Sequence, residues 1–330
     1  MSTFGKRLIC ALPFLILFGV GGEGWAAEFP VKAMEWLAPF GPGGPSAVSL
    51  KFIGDQVSKV LGKPVLVVPV PGGGGTIGGS RASKAKPDGY TLLGANSATN
   101  GTALLMKKDL PYRNEDFDFI AEYGAMDLGL AVKGDSPFQT LEDYIAYAQK
   151  NPSAVKTGTT GVGATDHLVG ELLAMEAGRM KVDAVPFKSP AEKRTAILGG
   201  HVHSGFIYGG GGGPGDEFHQ IIEGGGRILA VTTPTRLKAY PTIPTFSERG
   251  LNVVLSAWYG IAAPKGIPKE ILQKLKGVIY KIIQEPETIK TIESLGYRNE
   301  FRTGEDLTQF VKEREKLVEK IIREARIPVN

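Results

Sequence analysis

The chain has 330 residues, and its 38 Lys and Arg against 34 Asp and Glu give a net charge of +4. That balance is too mild for a nucleic-acid protein, and no Lys/Arg cluster interleaved with aromatics is present. A single cysteine excludes a disulfide framework and a cysteine-based zinc site.

Met1–Ala26 reads as a leader. Lys6 and Arg7 form a positive head, and the apolar run Leu8–Val20 has the length of a signal-peptide core, too short for a bilayer span. Gly24-Trp25-Ala26 places small residues at −3 and −1, so cleavage is expected after Ala26, with an uncleaved anchor as the alternative. Cys10 precedes the apolar run and cannot be a lipid-modified first residue. Its removal leaves no thiol nucleophile, with 36 basic against 33 acidic groups. No later apolar run is long enough to span a membrane. An exported soluble protein is expected, with chain enough for two cores.

Beyond the leader, short apolar runs alternate with amphipathic segments, the pattern of an α/β fold. Strands are predicted at Met34–Ala38, Val65–Val70, Tyr90–Leu93, Phe119–Tyr123 and Leu128–Val132. Further strands follow at Val155–Thr159, Asp183–Phe187, Val202–Ile207, Ile228–Thr232 and Leu255–Ala262. Ser46 is placed to cap a helix whose stripe is Leu50, Ile53, Val57, Val60 and Leu61, stopped by Gly62 and Pro64. Thr140 with Asp143 and Thr303 with Asp306 have the spacing of capping boxes. Pro268 suits the first turn of a helix carrying Ile271, Leu275, Ile279 and Ile282 on one face.

Glycine-dense stretches stand out at Phe40–Pro45, Gly72–Gly79 and Tyr208–Gly215. The run Gly209–Gly213 reads as a flexible loop. Phe40–Pro45 lies between a strand and a helix, where converging backbone amides attract anions. Gly73, Gly75 and Gly78 satisfy the dinucleotide fingerprint G-x-G-x-x-G, but no carboxylate ends the next strand to hold a ribose. His201, His203 and His219 are a weak zinc set, better read as an exposed strand end. Asp166 and His167 are adjacent, and on a helix such neighbours point apart. No nucleophile with its base is patterned, so a non-enzymatic role without cofactor or metal is expected.

In order along the chain come Pro39-Phe40-Gly41-Pro42-Gly43-Gly44, Pro71–Gly78, and PDGYTLL at Pro87–Leu93. They are followed by Thr160–Glu171, Val185–Ser189 and Ala257–Pro264. Together these six motifs resemble the periplasmic solute-binding proteins of tripartite tricarboxylate transporters, the Bug or TctC family. The resemblance covers nearly all of the mature chain.

The resemblance implies an α/β fold of the type II periplasmic binding protein kind, two lobes joined by two crossover strands with a ligand cleft between. Carried onto this chain, residues 27–126 plus 257–330 form lobe 1 and residues 127–256 form lobe 2. It implies capture of a small carboxylate, a di- or tricarboxylate or an aromatic one, and delivery to integral-membrane transporter subunits. A monomer in the periplasm is expected. Ligand contacts are expected from Phe40, Gly41, Gly43, Gly44 and Ser46 in the first loop, from Gly74, Gly75 and Thr76 in the second, and from Asn96 and Ser97 in the third. The facing lobe would add Thr159, Thr160, Gly161, Thr165, His167 and Phe187. Glycines would give amide donors, Ser and Thr hydroxyls, and Phe40 and Phe187 apolar walls. His167 is placed equally well to brace its loop or to touch ligand.

Backbone amides at helix N-termini neutralise a carboxylate without a buried lysine or arginine. Where relatives have G-T-D after the first loop, this chain has Pro45-Ser46-Ala47. Where they carry an acid in the late cleft strand, it has Ile207, followed by Tyr208. Ala196 and His203 also replace usual aspartates. Without those acids, a ligand with an apolar or aromatic body is expected rather than an amino acid. A secreted dinucleotide enzyme and a sensor signalling to a membrane receptor are the alternative readings.

Overall fold

Met34–Ala38 (β1) is buried along almost its whole length, as a strand covered on both faces must be. The computed structural model describes residues 29–178 and 180–329; the expected leader and Cys10 lie outside them. β1 pairs in parallel with Val65–Pro69 (β2) and Thr91–Asn96 (β3). Between them run the helices Pro45–Leu61 (α1) and Thr76–Ser83 (α2). Ala257–Pro264 (β9) then joins antiparallel to β3.

Phe117–Lys133 (β4) carries the sheet onward. It pairs with β9 as far as Met126↔Ala257 and with Ser204–Gly209 (β7) from Asp127↔Gly209. Two strands were predicted here, and the structure has one of 17 residues. Gly124, Asp127 and Gly129 interrupt the apolar pattern, yet Asp127 is fully buried because Arg298 Nε donates to it at 2.6 Å and Ser256 Oγ at 2.5 Å. Beyond β7 lie Lys156–Thr159 (β5) and Asp183–Pro186 (β6), both parallel, and Gly226–Val231 (β8) pairs back onto β4. Arg302–Thr303 (β10), not foreseen, pairs with Glu122 and Ala121.

Further helices are Ala103–Met106 (α3), Leu141–Lys150 (α4), Thr165–Glu176 (α5), Pro190–Leu198 (α6) and Glu217–Glu223 (α7). Lys269–Ile283 (α8), Pro286–Ser294 (α9) and Gly304–Glu324 (α10) complete the set. The Thr140/Asp143 capping box forms, with Asp143 N–H on Thr140 Oγ1 at 3.1 Å and Thr140 N–H on Asp143 Oδ2 at 2.9 Å. Thr303 sits at the N-cap of α10 but makes no side-chain cap bond. Ser46 is not the cap of α1: Gly44 is, and Pro45 takes the first turn, where its missing N–H costs nothing. Val60, 59% exposed, falls outside the α1 stripe, whereas Leu50, Ile53 and Val57 are buried in it.

Separate cores cover the two halves of the sheet. One holds Trp36, Ile53, Ile261 and Leu275; another holds Leu130, Leu168, Phe206 and Phe246. Helix α10 serves both regions. Leu307 and Val311 pack beneath β3 and β9, whereas Val318, Ile321 and Ile322 pack with Leu130 and Phe206.

Behind β4, Glu122 is fully buried, its Oε2 accepts from Arg302 Nη1 at 2.6 Å, and its Oε1 has no partner. Burial pushes its carboxyl from an ordinary 4.5 up to about 7, against the pull of Arg302. Below about pH 4.5 folded and unfolded chains both hold this proton. As pH rises toward 7 the unfolded chain loses it first, so the stability due to Glu122 is present in acid and lost through about pH 7. Urea unfolding at pH 5 and pH 8 is expected to differ by a term on the order of 3 kcal/mol from this group. Glu122→Gln should remove that term; an unchanged pH slope in the variant would refute the assignment.

Candidate functional site

Three loops leave the C-terminal ends of β1, β2 and β3 together, the position at which open α/β sheets hold ligands. The first, Phe40–Gly44, turns through the Gly44 N–H on Gly41 O at 3.4 Å and enters α1. The second has four successive glycines, Gly72 to Gly75, with φ of 124°, 62°, 72° and 94°. Side chains avoid such angles, so glycine is required here. Among the described residues, the N–H groups of Gly73 and Gly74 donate to no acceptor. Gly78, the last glycine of the fingerprint, packs α2 against Pro39, where a Cβ would come to 3.0 Å.

In the third loop, Asn96 Oδ1 accepts from Ala98 N–H and Thr99 N–H, each at 3.0 Å. Ser97 Oγ accepts from Trp258 N–H at 2.7 Å, tying the loop to β9. Opposite stands the loop from β5 to α5. Asp166 organises it: its oxygens accept from Thr159 Oγ1 at 3.1 Å, Thr160 N–H at 2.8 Å, Thr160 Oγ1 at 3.0 Å and its neighbour His167 N–H at 3.0 Å. Lys193 Nζ, fully buried, donates to Asp166 Oδ2 at 2.6 Å and to Phe206 O. Tyr208 Oη accepts from Asp166 N–H at 3.2 Å.

These loops enclose a cleft of about 820 Å³, open to solvent between the two halves of the sheet. Of the candidate ligand contacts, Phe40, Gly44, Ser46, Gly74, Asn96, Ser97, Thr160, Gly161 and Thr165 line it. The remaining candidates are not among the lining residues. Gly41 and Gly43 shape the first turn. Gly75 and Thr76 begin α2, with Thr76 Oγ1 donating to Gly73 O at 3.1 Å. Thr159 is turned to Asp166, and Phe187 packs over Gly158. His167 braces its loop: Nδ1 accepts from Gly163 N–H at 3.3 Å, and Nε2 lies 3.7 Å from Glu171. Burial depresses its pKa, opposed by Asp166, which suits a neutral ring accepting at Nδ1.

Sequence reasoning missed the charged lining. Lys107, Lys188 and Arg194 face the cleft against a single carboxylate, Glu217. Lys107 Nζ also donates to Gly73 O at 2.6 Å and steadies the glycine loop. The lining therefore carries an excess of positive charge, which attracts anions. In sequence these lysines and the arginine look like any solvated side chain. Lys193 did leave a signal, three and four residues before the buried Ala196 and Ile197. Met106, Met126, Tyr208 and Tyr259 supply apolar wall.

The glycine run Gly209–Gly213 is packed rather than loose. Gly210 and Gly212 N–H groups bind Asp216 Oδ2 at 3.0 and 2.7 Å, and Gly215 N–H binds Ser294 O at 3.1 Å. The histidines do not gather: His203 accepts from Lys156 N–H, and His219 lies beside Glu223. Among the described residues, no group of three or more His, Cys, Asp or Glu is placed to hold a metal.

Residues 50–327 match the model of the tripartite tricarboxylate transporter family receptor. The chain belongs to this family. An Agrobacterium vitis protein, described as a UPF0065 protein in the TAR-I ttuE-ttuC' intergenic region, is 30% identical over 310 residues, 91% of this chain and 88% of its own. A solved structure described as a periplasmic transporter superposes with a TM-score of 0.77 at 29% identity, covering 92% of this chain and all of the other. MatC from Rhodopseudomonas palustris, with bound malate, gives 0.73 at 25% identity, covering 89% of this chain and all of its own. As in such receptors, the fold is the type II periplasmic binding protein fold, two α/β lobes with crossover strands, β4 and β9 here.

Proposed function

We propose that this receptor-family chain captures a small carboxylate between its lobes and hands it to the membrane subunits of a tripartite tricarboxylate transporter in the periplasm. Lobe 1 is residues 27–126 with 257–330, and lobe 2 is residues 127–256. The observation that carries the reading is the cleft itself. Gly73 and Gly74, whose N–H groups have no acceptor among the described residues, line it together with the Thr160–Thr165 loop, three cations and one carboxylate. MatC, of the same fold, holds malate. The Asp166-centred loop presents Thr160, Gly161 and Thr165 as the partner face for an acid group gripped by lobe 1. Apolar walls from Phe40, Tyr208 and Tyr259 suit a carbon body.

Thermal unfolding with and without ligand tests it. A saturating di- or aromatic carboxylate, at a hundred times its Kd, is expected to stabilise the fold by about 2.7 kcal/mol, and its diamide or NAD to leave it unchanged. Equal stabilisation by acid and amide, or NAD retained on the purified protein, would overturn the reading.

A further inference from the structure

The sequence places Ile207 where relatives carry an acid, which argued against ligands bearing an amine. The fold supplies an acid from elsewhere. Asp216 caps α7, its Oδ1 accepting from Phe218 N–H at 2.9 Å and its Oδ2 from Gly210 and Gly212. With Asp216 fully engaged inward, the next residue, Glu217, lines the cleft. Glu217 Oε2 is buried and has no hydrogen-bond partner, and no cation lies within 4.0 Å of its carboxylate among the described residues. Lys193, one of the two α6 cations whose charge reaches Glu217, is committed to Asp166 and Phe206. Burial raises the Glu217 pKa, opposed by Lys193, Arg194 and the nearby Tyr208 backbone N–H, which lies outside hydrogen-bond geometry. Oε1 is not closed off as Oε2 is and takes part in no hydrogen bond among the described residues, so it is the oxygen that a ligand in the cleft can reach, and a hydrogen bond to a carboxylate is stronger than one to a neutral acceptor.

We propose that Glu217 is a specificity-determining residue that accepts a hydrogen bond from a hydroxyl or ammonium group of the bound acid, so that the cleft prefers carboxylates bearing such a donor over their unsubstituted parents. The proposal rests on the carboxylate-receptor reading. Arg194 and Lys188, lining the same cleft, supply positive charge for an acid group beside that donor. Glu217 thus does for lobe 2 what Ile207 cannot.

Calorimetry with matched acids tests the assignment: succinate, malate and aspartate; glutarate, 2-hydroxyglutarate and glutamate; benzoate and 4-hydroxybenzoate. In at least one set the donor-bearing acid is expected to bind about tenfold or more tighter than its parent. Glu217→Leu should bring the two within about threefold of each other, because only the donor-bearing acid loses a hydrogen bond. Glu217→Gln, which retains an acceptor but no charge, should keep part of a hydroxyl preference and lose an ammonium preference. Circular dichroism and the thermal midpoint of each variant report folding. Parents that bind as tightly as their derivatives, or a preference surviving in Glu217→Leu, would overturn the role of Glu217 while leaving the receptor reading intact. Failure of every acid in the panel to bind the natural protein would instead remove the receptor reading, and this assignment with it.

Discussion

Replacing Lys193 by methionine is expected to cost about 3 kcal/mol of unfolding free energy and to abolish ligand capture. Lys193 and Asp166 are both buried to the side-chain level, 2.6 Å apart. Removing the lysine leaves a carboxylate charge inside the lobe. Breaking such a pair costs about 3–5 kcal/mol in general. The lower end applies here because Thr159, two groups of Thr160, and His167 N–H still donate to Asp166. Those same bonds hold the Thr160 wall, so any shift of Asp166 moves the cleft. Adding Asp166→Asn removes the stranded charge and should return part of the stability without restoring binding. Urea denaturation of the two variants decides it. A loss below about 1 kcal/mol for Lys193→Met would show that the pair does not carry the loop.

Gly213→Ala carries the second large effect, and it separates a packed glycine run from a loose one. A Cβ on Gly213 would lie 2.7 Å from both Glu293 O and Ser294 O; on Gly211 it would lie 2.7 Å from Glu293 O and 2.9 Å from Gly296 C. These are backbone atoms at the end of α9, and they cannot swing aside as a side chain would. Overpacking of this kind costs about 1–3 kcal/mol. The strain is relieved by pushing the Gly210–Gly215 turn, and Glu217 with it, away from α9. Gly213→Ala should therefore lose both stability and ligand affinity. Gly277→Ala is the contrast, since nothing lies within 4 Å of its added methyl in the middle of α8. There the same substitution should stabilise by up to about 1 kcal/mol through helix propensity. Equal effects at the two positions in urea unfolding would refute the packed turn.

Most elements, and the anion-attracting turn at Phe40–Pro45, were legible from local chemistry, while the other candidate wall residues came with the family resemblance. Parallel strands buried on both faces read as apolar runs, and glycine at positive φ reads as glycine because no other residue sits there at low cost. PDGYTLL lies at the entry to β3, and FGPGGP lies at the cleft. The capping of α1 was misread because Ser46 is a good cap only when no proline follows the preceding glycine. Asp127 reads as a break between two strands, and the burial of Glu122 within its strand is not legible, since the arginines that allow both, Arg298 and Arg302, lie more than 170 positions further on.

From its order of residues alone this protein was determined to be an α/β chain of alternating strands and helices with glycine turns suited to anions, and its motifs placed it beside a transport-receptor family. Only the folded chain decided which charges are inside. Lys193 binds Asp166, Lys107 steadies the glycine loop, and Glu217 enters the cleft through a turn wedged on α9. The reason is physical. Backbone preference acts over a few residues, whereas the partner that makes a buried charge tolerable is chosen by distance in space.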